Sequence, residues 1–293
     1  YFIDQNTGWR YTVDQVQKTT NAGVTWNFLS YRNSYVHTSR LLFIDSLHGM
    51  SSGTNINPLG SDATITWTKN GGVNWSSITF FETDNMHSID ILNNNFAVAL
   101  GSNYSNFFVL YKTTNFGLQW DTIRPSLSTY GVRSIKLFDS VTYLVNSSSN
   151  IFKTEDGGKE WFSIYEDTSL STYIRSMDFW DSSTGIMTMS NGNIIRTSNG
   201  GLNWTQISSG YNYDISNITL LSNGHGVITG DHGTVIATTN TGINWFSEAR
   251  NVTLHDLYEI EKISVNSLIA VGKEGTIVRS TNNGVSWVNI NSG

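Results

Sequence analysis

Seven tryptophans constrain this chain more than any other feature. Trp26, Trp75, Trp120, Trp161, Trp204, Trp245 and Trp287 lie 49, 45, 41, 43, 41 and 42 residues apart. Each ends an eight-residue segment of the form [Ser/Thr]-x-[Asn/Asp]-x-Gly-x-x-Trp. The copies are Thr19-Asn21-Gly23-Trp26, Thr68-Asn70-Gly72-Trp75, Thr113-Asn115-Gly117-Trp120, Thr154-Asp156-Gly158-Trp161, Thr197-Asn199-Gly201-Trp204, Thr238-Asn240-Gly242-Trp245 and Ser280-Asn282-Gly284-Trp287. A period of this length is the signature of one supersecondary unit that buries its apolar faces only against its neighbours.

The residue types in the segment are those of a turn. An Asn or Asp side chain accepts backbone N–H groups about two residues on and satisfies donors that a strand end leaves open. Gly supplies a positive φ, and the Ser/Thr hydroxyl ties the turn to its own strand. The Trp opens the next strand and buries a large ring while its N–H seeks a partner.

Each repeat also contains further short apolar runs. Before the turn stand alternating stretches such as Thr276–Ser280 and Asn193–Thr197, preceded by runs such as Ser267–Gly272 and Val227–Gly230, and before those Ser176–Asp181 or Arg40–Asp45. A fourth run, such as Trp287–Ile290, follows the turn. Linkers such as Asp231-His232-Gly233 and Lys273-Glu274-Gly275 suit tight hairpins. Four short antiparallel strands per repeat make a propeller blade. The expectation is an all-β, seven-bladed β-propeller over residues 1–293 as a single domain, with the tryptophan-ended turn between the third and fourth strands of each four-stranded blade. A β-solenoid is the weaker alternative. With strands lettered A to D from the inside, the A–B and C–D turns share one end of each blade, and the B–C and D–A connections share the other. Phe2-Ile3-Asp4 aligns with Phe43-Ile44-Asp45, so the first blade is expected to lack most of its A strand. The largest insertion, Ser51 to Asp62 with Pro58, lies in the second blade.

Composition narrows the function. The 293 residues carry a net charge of −6 with few Lys and Arg, which argues against a phosphate backbone as partner. No run of 18 apolar residues is present to span a membrane. There are no cysteines, hence no disulfide, thiolate site or cysteine nucleophile.

The repeats resemble known sequences. Gly272-Lys273-Glu274-Gly275-Thr276-Ile277-Val278-Arg279-Ser280-Thr281-Asn282-Asn283-Gly284-Val285-Ser286-Trp287 and Gly192-Asn193-Ile194-Ile195-Arg196-Thr197-Ser198-Asn199-Gly200-Gly201-Leu202-Asn203-Trp204 are similar to the Asp-box repeats of sialidases, xyloglucanases and the sortilin ectodomain. They resemble most strongly those of the photosystem II assembly factor family and its secreted bacterial relatives. The resemblance covers the whole chain and implies the propeller fold. The leading expectation is a non-catalytic binding propeller, secreted, on the cell surface or periplasmic, because seven intact structural turns come with no catalytic constellation; the alternatives are an Asp-box-type polysaccharide hydrolase or lyase and, as the resemblance implies, an assembly factor for a membrane-protein partner.

Candidate site residues stand at the start of each A strand, which should rim a central channel. Alignment places Ser39, His87, Arg133, Arg175, Ser216 and His255 at equivalent positions, with Tyr35, Tyr130, Tyr173, Tyr213 and Asp256 close by. Two arginines and two histidines would form a positive patch able to hold a carboxylate. The binding set expected is therefore His87, Arg133, Arg175, His255, Tyr130 and Tyr173, contacting a protein or a glycan and not nucleic acid. The Asn/Asp and Trp residues of the turns are read as structural. His48, His225 and His232 fall in hairpins without ligand spacing, so no metal and no cofactor is expected. Trp9, Trp67 and Trp180 are read as packing residues. No arginine triad, paired carboxylates, nucleophile elbow or phosphate loop stands out, so no catalytic residue is assigned.

Overall fold

In the computed structural model the described residues are 1–11, 15–31, 36–57, 60–103, 105, 107–125, 131–168, 171–247, 252–264 and 266–290. Pro58, Tyr35 and Tyr130 lie outside them. The chain is a seven-bladed β-propeller. It divides into two compact units, residues 1–163 and 164–293.

The first unit opens with a three-stranded sheet of β1 (Gly8–Tyr11), β2 (Gln15–Thr19) and β3 (Asn27–Tyr31). Two four-stranded sheets follow. One is β4 (Val36–Phe43), β5 (Gly49–Asn57), β6 (Gly60–Thr68) and β7 (Ser76–Phe80); the next is β8 (Asn85–Ile91), β9 (Ala97–Ser102), β10 (Phe108–Thr113) and β11 (Asp121–Ile123). The fourth sheet is β12 (Ser134–Leu137), β13 (Tyr143–Asn146), β14 (Asn150–Thr154) and β15 (Phe162–Glu166).

The second unit carries three more. They are β16 (Ile174–Phe179), β17 (Gly185–Met189), β18 (Asn193–Thr197) and β19 (Thr205–Ser208); β20 (Asn217–Leu220), β21 (Gly226–Thr229), β22 (Val235–Thr238) and β23 (Phe246–Ser247); and β24 (Leu257–Lys262), β25 (Leu268–Gly272), β26 (Ile277–Ser280) and β27 (Val288–Ile290). The ladders among the described residues are antiparallel and join strands adjacent in sequence. The helical content of the described residues is three short 3-10 turns.

In the first sheet, an isolated bridge, Phe2 to Gly8, stands where the other sheets have an inner strand. Asp4 then accepts the N–H groups of Asn6 and Thr7, as Asp45 accepts those of Leu47 and His48. The same side-chain turn recurs at Asn93, Asp139 and Asp181 in later A–B hairpins.

The seven tryptophan-ended turns share one hydrogen-bond scheme. The Ser/Thr hydroxyl donates to the Asn/Asp Oδ1 at 2.9–3.0 Å. The same hydroxyl accepts the Gly N–H at 2.9–3.0 Å. Oδ1 accepts the N–H of the residue before Trp at 2.9–3.1 Å, so the reach is four residues and not the expected two. A second feature escaped sequence reading. The residue before each Gly is also left-handed: Ala22, Gly71, Phe116, Gly157, Gly200, Thr241 and Asn283. That conformation aims its N–H at an A–B turn carbonyl of its own blade, at 2.8–3.0 Å in all seven copies. The two turns at this end of a blade are thereby clasped together.

Between successive sheets the core mixes aliphatic side chains with buried rings such as Phe108, Tyr111 and Tyr143 in the first unit and is mainly aliphatic in the second. Trp9 is fully buried, stacks on Phe43 at 3.7 Å and donates Nε1–H to the Gly71 carbonyl. A Cβ on Gly117 would stand 2.7 Å from the Trp67 ring, and one on Gly242 would stand 3.6 Å from Trp180 and 2.5 Å from Ile186. The extra tryptophans therefore pack one blade beneath the turn of the next. Six of the seven turn tryptophans are half-buried and Trp287 is buried.

Candidate functional site

The opposite end of the blades, where D–A connections meet B–C hairpins, is built differently. Four inner strands enter their sheets through a β-bulge. Register shifts leave Ser39, His87, Arg175 and Tyr258 as the extra residue. Arg133 and Ser216 occupy the matching place, each sending its N–H to the carbonyl already opposite its successor. A bulge takes one residue out of the ladder and re-aims its side chain. Sequence alignment thus located this position in five blades. In the last blade the register gives Tyr258, and His255 stands three residues earlier, equivalent to Tyr213. Tyr213 reaches the hydroxyl of Thr234 at 3.0 Å and His255 reaches that of Thr276 at 2.8 Å.

The charges at these positions do not behave as a free positive ring. In the first unit, His87 Nε2 lies 2.9 Å from Ser102 Oγ, and burial holds its pKa below the ordinary imidazole value against the opposing pull of Asp84. The ring is thus kept neutral at pH 7. Arg133 is exposed and its Nε donates to Ser148 Oγ at 3.4 Å. In the second unit, Arg175 makes a two-pronged ion pair with Asp214 and lies over the Tyr173 ring at 4.7 Å. His255 Nε2 stands 3.6 Å from Glu274. Tyr130 lies outside the described residues. Of the expected set, the structure brings together Arg175 and Tyr173 in the second unit.

Further side chains share this end of the blades. In the second unit the D–A connections and B–C hairpins of the last two blades form one hydrogen-bonded surface. Asp231 N–H donates to the Asp214 carbonyl, Lys273 N–H to the Asp256 carbonyl, Leu257 N–H to the Gly230 carbonyl, and His232 N–H to Asp256 Oδ1 at 2.9 Å. Tyr213 stands between Tyr211 and His232 with ring centroids 5.1 and 4.8 Å away. Leu254 is 82% exposed and Tyr258 53%. In the first unit, Phe81 on the D–A side is 76% exposed, and Ile56 and Phe107 are exposed at the B–C side. Leu254, Tyr258 and Phe81 were missed because an apolar residue in a connection reads as packing. Only the extra residue of a bulge, invisible in one sequence, turns Tyr258 outward.

No family model matches the chain, and no curated protein does. Solved structures do. A structure described as Ycf48 bound to D1 peptide superposes with a TM-score of 0.73 at 21% identity, covering 96% of this chain and 90% of that one. Ycf48 from Cyanidioschyzon merolae gives 0.72 at 18% identity, over 95% and 93%. The fold is that of the Ycf48 propellers. The Niastella koreensis GH74 enzyme is more distant, with a TM-score of 0.52 at 13% identity over 98% of this chain and 67% of that one. At such identities the likeness concerns fold, as the repeats led one to expect, and function rests on the site.

Among the described residues no helix is long and apolar enough to cross a membrane, and no cluster of three or more His, Asp or Glu has metal-site geometry.

Proposed function

We propose that this protein is a non-catalytic binding propeller, secreted, surface-bound or periplasmic, that contacts a protein partner through the D–A/B–C end of its blades. The observation that carries the reading is the exposure of Leu254 and Tyr258 on a surface otherwise fixed by backbone hydrogen bonds and flanked by charged side chains. Large apolar anchors inside a polar rim are how protein interfaces concentrate their affinity. The Ycf48 structure holding a D1 peptide supports a peptide-like contact on this fold. Arg175, Tyr173 and His255 enter the reading at this end of the second unit, and His87 and Arg133 at the same end of the blades of the first. The paired state of Arg175 and the neutrality of His87 make them positioning groups more than an anion trap.

Photo-cross-linking tests this. A cross-linker placed at Tyr258 should give a discrete protein adduct that Leu254→Ser abolishes, and one placed at Val285, exposed on the turn at the other end of the same blade, should give none. Adducts of equal yield from both ends, or release of reducing ends from polysaccharide by the purified chain, would overturn the reading.

A further inference from the structure

The third blade holds a buried carboxylate oxygen that the repeat does not account for. In the last two blades, the residue three before the bulge position reaches a threonine at the start of the third strand, four residues before the turn Ser/Thr. Tyr213 meets Thr234 in this way, and His255 meets Thr276. In the third blade the same two places hold Asp84 and Val109. Val109 is buried and offers no hydroxyl. The Asp84 N–H donates to the Ser102 carbonyl and fixes the backbone, while Asp84 Oδ1 is buried with no protein partner among the described residues. A buried acceptor left so is costly, and a donor that reached it would be strongly held.

The His87 imidazole is the group able to supply that donor. Its Nε2 lies 2.9 Å from Ser102 Oγ, and its Nδ1 has no protein partner among the described residues. Asp84 is the charge that acts on the ring. Of the strands packed against β8, β5 and β9 carry no charged residue, β4 carries His37 and Arg40, β6 carries Asp62, and β12 carries Lys136. Arg40 and Lys136 act on Asp90, further along β8. In the connection itself Glu82 pairs with Arg124, and before β12 Arg133 donates to Ser148. The last blade shows such a bracket already built. His255 has one ring nitrogen on the Thr276 hydroxyl and the other 3.6 Å from the Glu274 carboxylate. A neutral imidazole carries one N–H and a charged one carries two.

We propose that Asp84 and His87 form a proton-operated latch: on taking up a proton the imidazole keeps Ser102 on Nε2 and donates Nδ1–H to Asp84 Oδ1, fastening the connection between the second and third blades to the first two strands of the third. The latch goes beyond the docking reading and does not depend on it. Burial disfavours the charged ring and the carboxylate favours it, with burial the larger, so the latch closes on acidification below the ordinary imidazole range. The connection it fastens carries the exposed Phe81.

Nuclear magnetic resonance on the whole chain tests the latch. In the parent protein at low pH, the charged His87 ring should show two slowly exchanging N–H protons, and a single one would overturn the proposal. Asp84→Asn should move the His87 titration to lower pH, and should do so equally in a Ser102→Ala background. The Thr83 and Asp84 amides, corrected for the intrinsic effect of pH, should become about tenfold better protected once His87 is charged, and Asp84→Asn should remove that gain. Circular dichroism checks that the variants keep the fold. A His87 titration that ignores Asp84→Asn would sink the latch. A shifted titration with no gain in amide protection would sink it too, because that is attraction across a gap without a fastening.

Discussion

The two ends of each blade obey different rules. At the turn end, residue identity and geometry repeat together: seven Ser/Thr, seven Asn/Asp and seven Gly make the same hydrogen bonds, and a Trp ends every copy. At the other end geometry repeats and identity does not. Ser39, His87, Arg133, Arg175, Ser216 and Tyr258 occupy one structural position with four side-chain types. The turn is made by side chains, so its residues are fixed. The bulge is made by backbone, so its residue is free to serve another purpose. Each end also exposes apolar groups, but in different ways. Val24, Val73, Leu118, Leu202, Ile243 and Val285 are single aliphatic tips at one repeated position, whereas Phe81, Leu254 and Tyr258 break the repeat.

The sharpest way to break this contrast is at a turn glycine. Gly201 has φ +91°, and a Cβ there would run into Ile164 of the preceding blade. Gly201→Ala should cost about 3 kcal/mol, from the left-handed backbone plus the overpacked contact, measured by chemical denaturation. Thr197→Ala should cost about 2 kcal/mol. The buried hydroxyl both accepts the Gly201 N–H and donates to Asn199, and the buried amide loses its acceptor.

A smaller effect has the opposite sign. Thr241 is β-branched and left-handed, with φ 54°, where three other copies place Gly. Thr241→Gly should stabilise the chain by roughly 1 kcal/mol, because the strained conformation costs about that much for a residue with a Cβ. The Arg196 bond to the Thr241 carbonyl survives the change.

Two titrations sharpen the comparison at the inner strands. Asp90 on β8 accepts the Leu137 N–H of the next inner strand at 2.8 Å, and burial raises its pKa despite Lys136 and Arg40 nearby. The unfolded chain therefore releases this proton first as pH rises, and stability contributed by the protonated form is lost between the unfolded and folded pKa. Asp90→Asn should gain relative to the parent on going from pH 4 to pH 7. For His87 the sign reverses. Its folded pKa is depressed, so acidification through the ordinary histidine range lowers stability, and His87→Gln should flatten that part of the curve. The smallest expected effect is at the partner-facing end. Leu254→Ser and Tyr258→Ala should each change stability by less than about 0.5 kcal/mol, since neither packs in the core.

What the sequence made legible follows from the same division. The turn was readable because its four side chains are its mechanism, and the blade count followed. The paired left-handed residues were not, because Ala22, Phe116, Thr241 and Asn283 advertise nothing about φ. The candidate rim was half legible. Counting along the A strands found Arg175 and His87, but Asp214, which neutralises Arg175, belongs to the next blade 39 residues on. His255 was misplaced because the connection before β24 conceals which residue the bulge expels. Burial of His87, which decides its charge, depends on neighbours that periodicity does not specify.

Native-state hydrogen exchange tests the central claim most directly. The amides of the seven turn glycines and of the residues before them should exchange slowly, with free energies close to that of global unfolding, while the amides of Thr253, Leu254 and His255 exchange much faster. Rapid exchange at the turn glycines beside strong protection in the 253–255 connection would contradict an architecture locked at one end of its blades and left free to vary at the other.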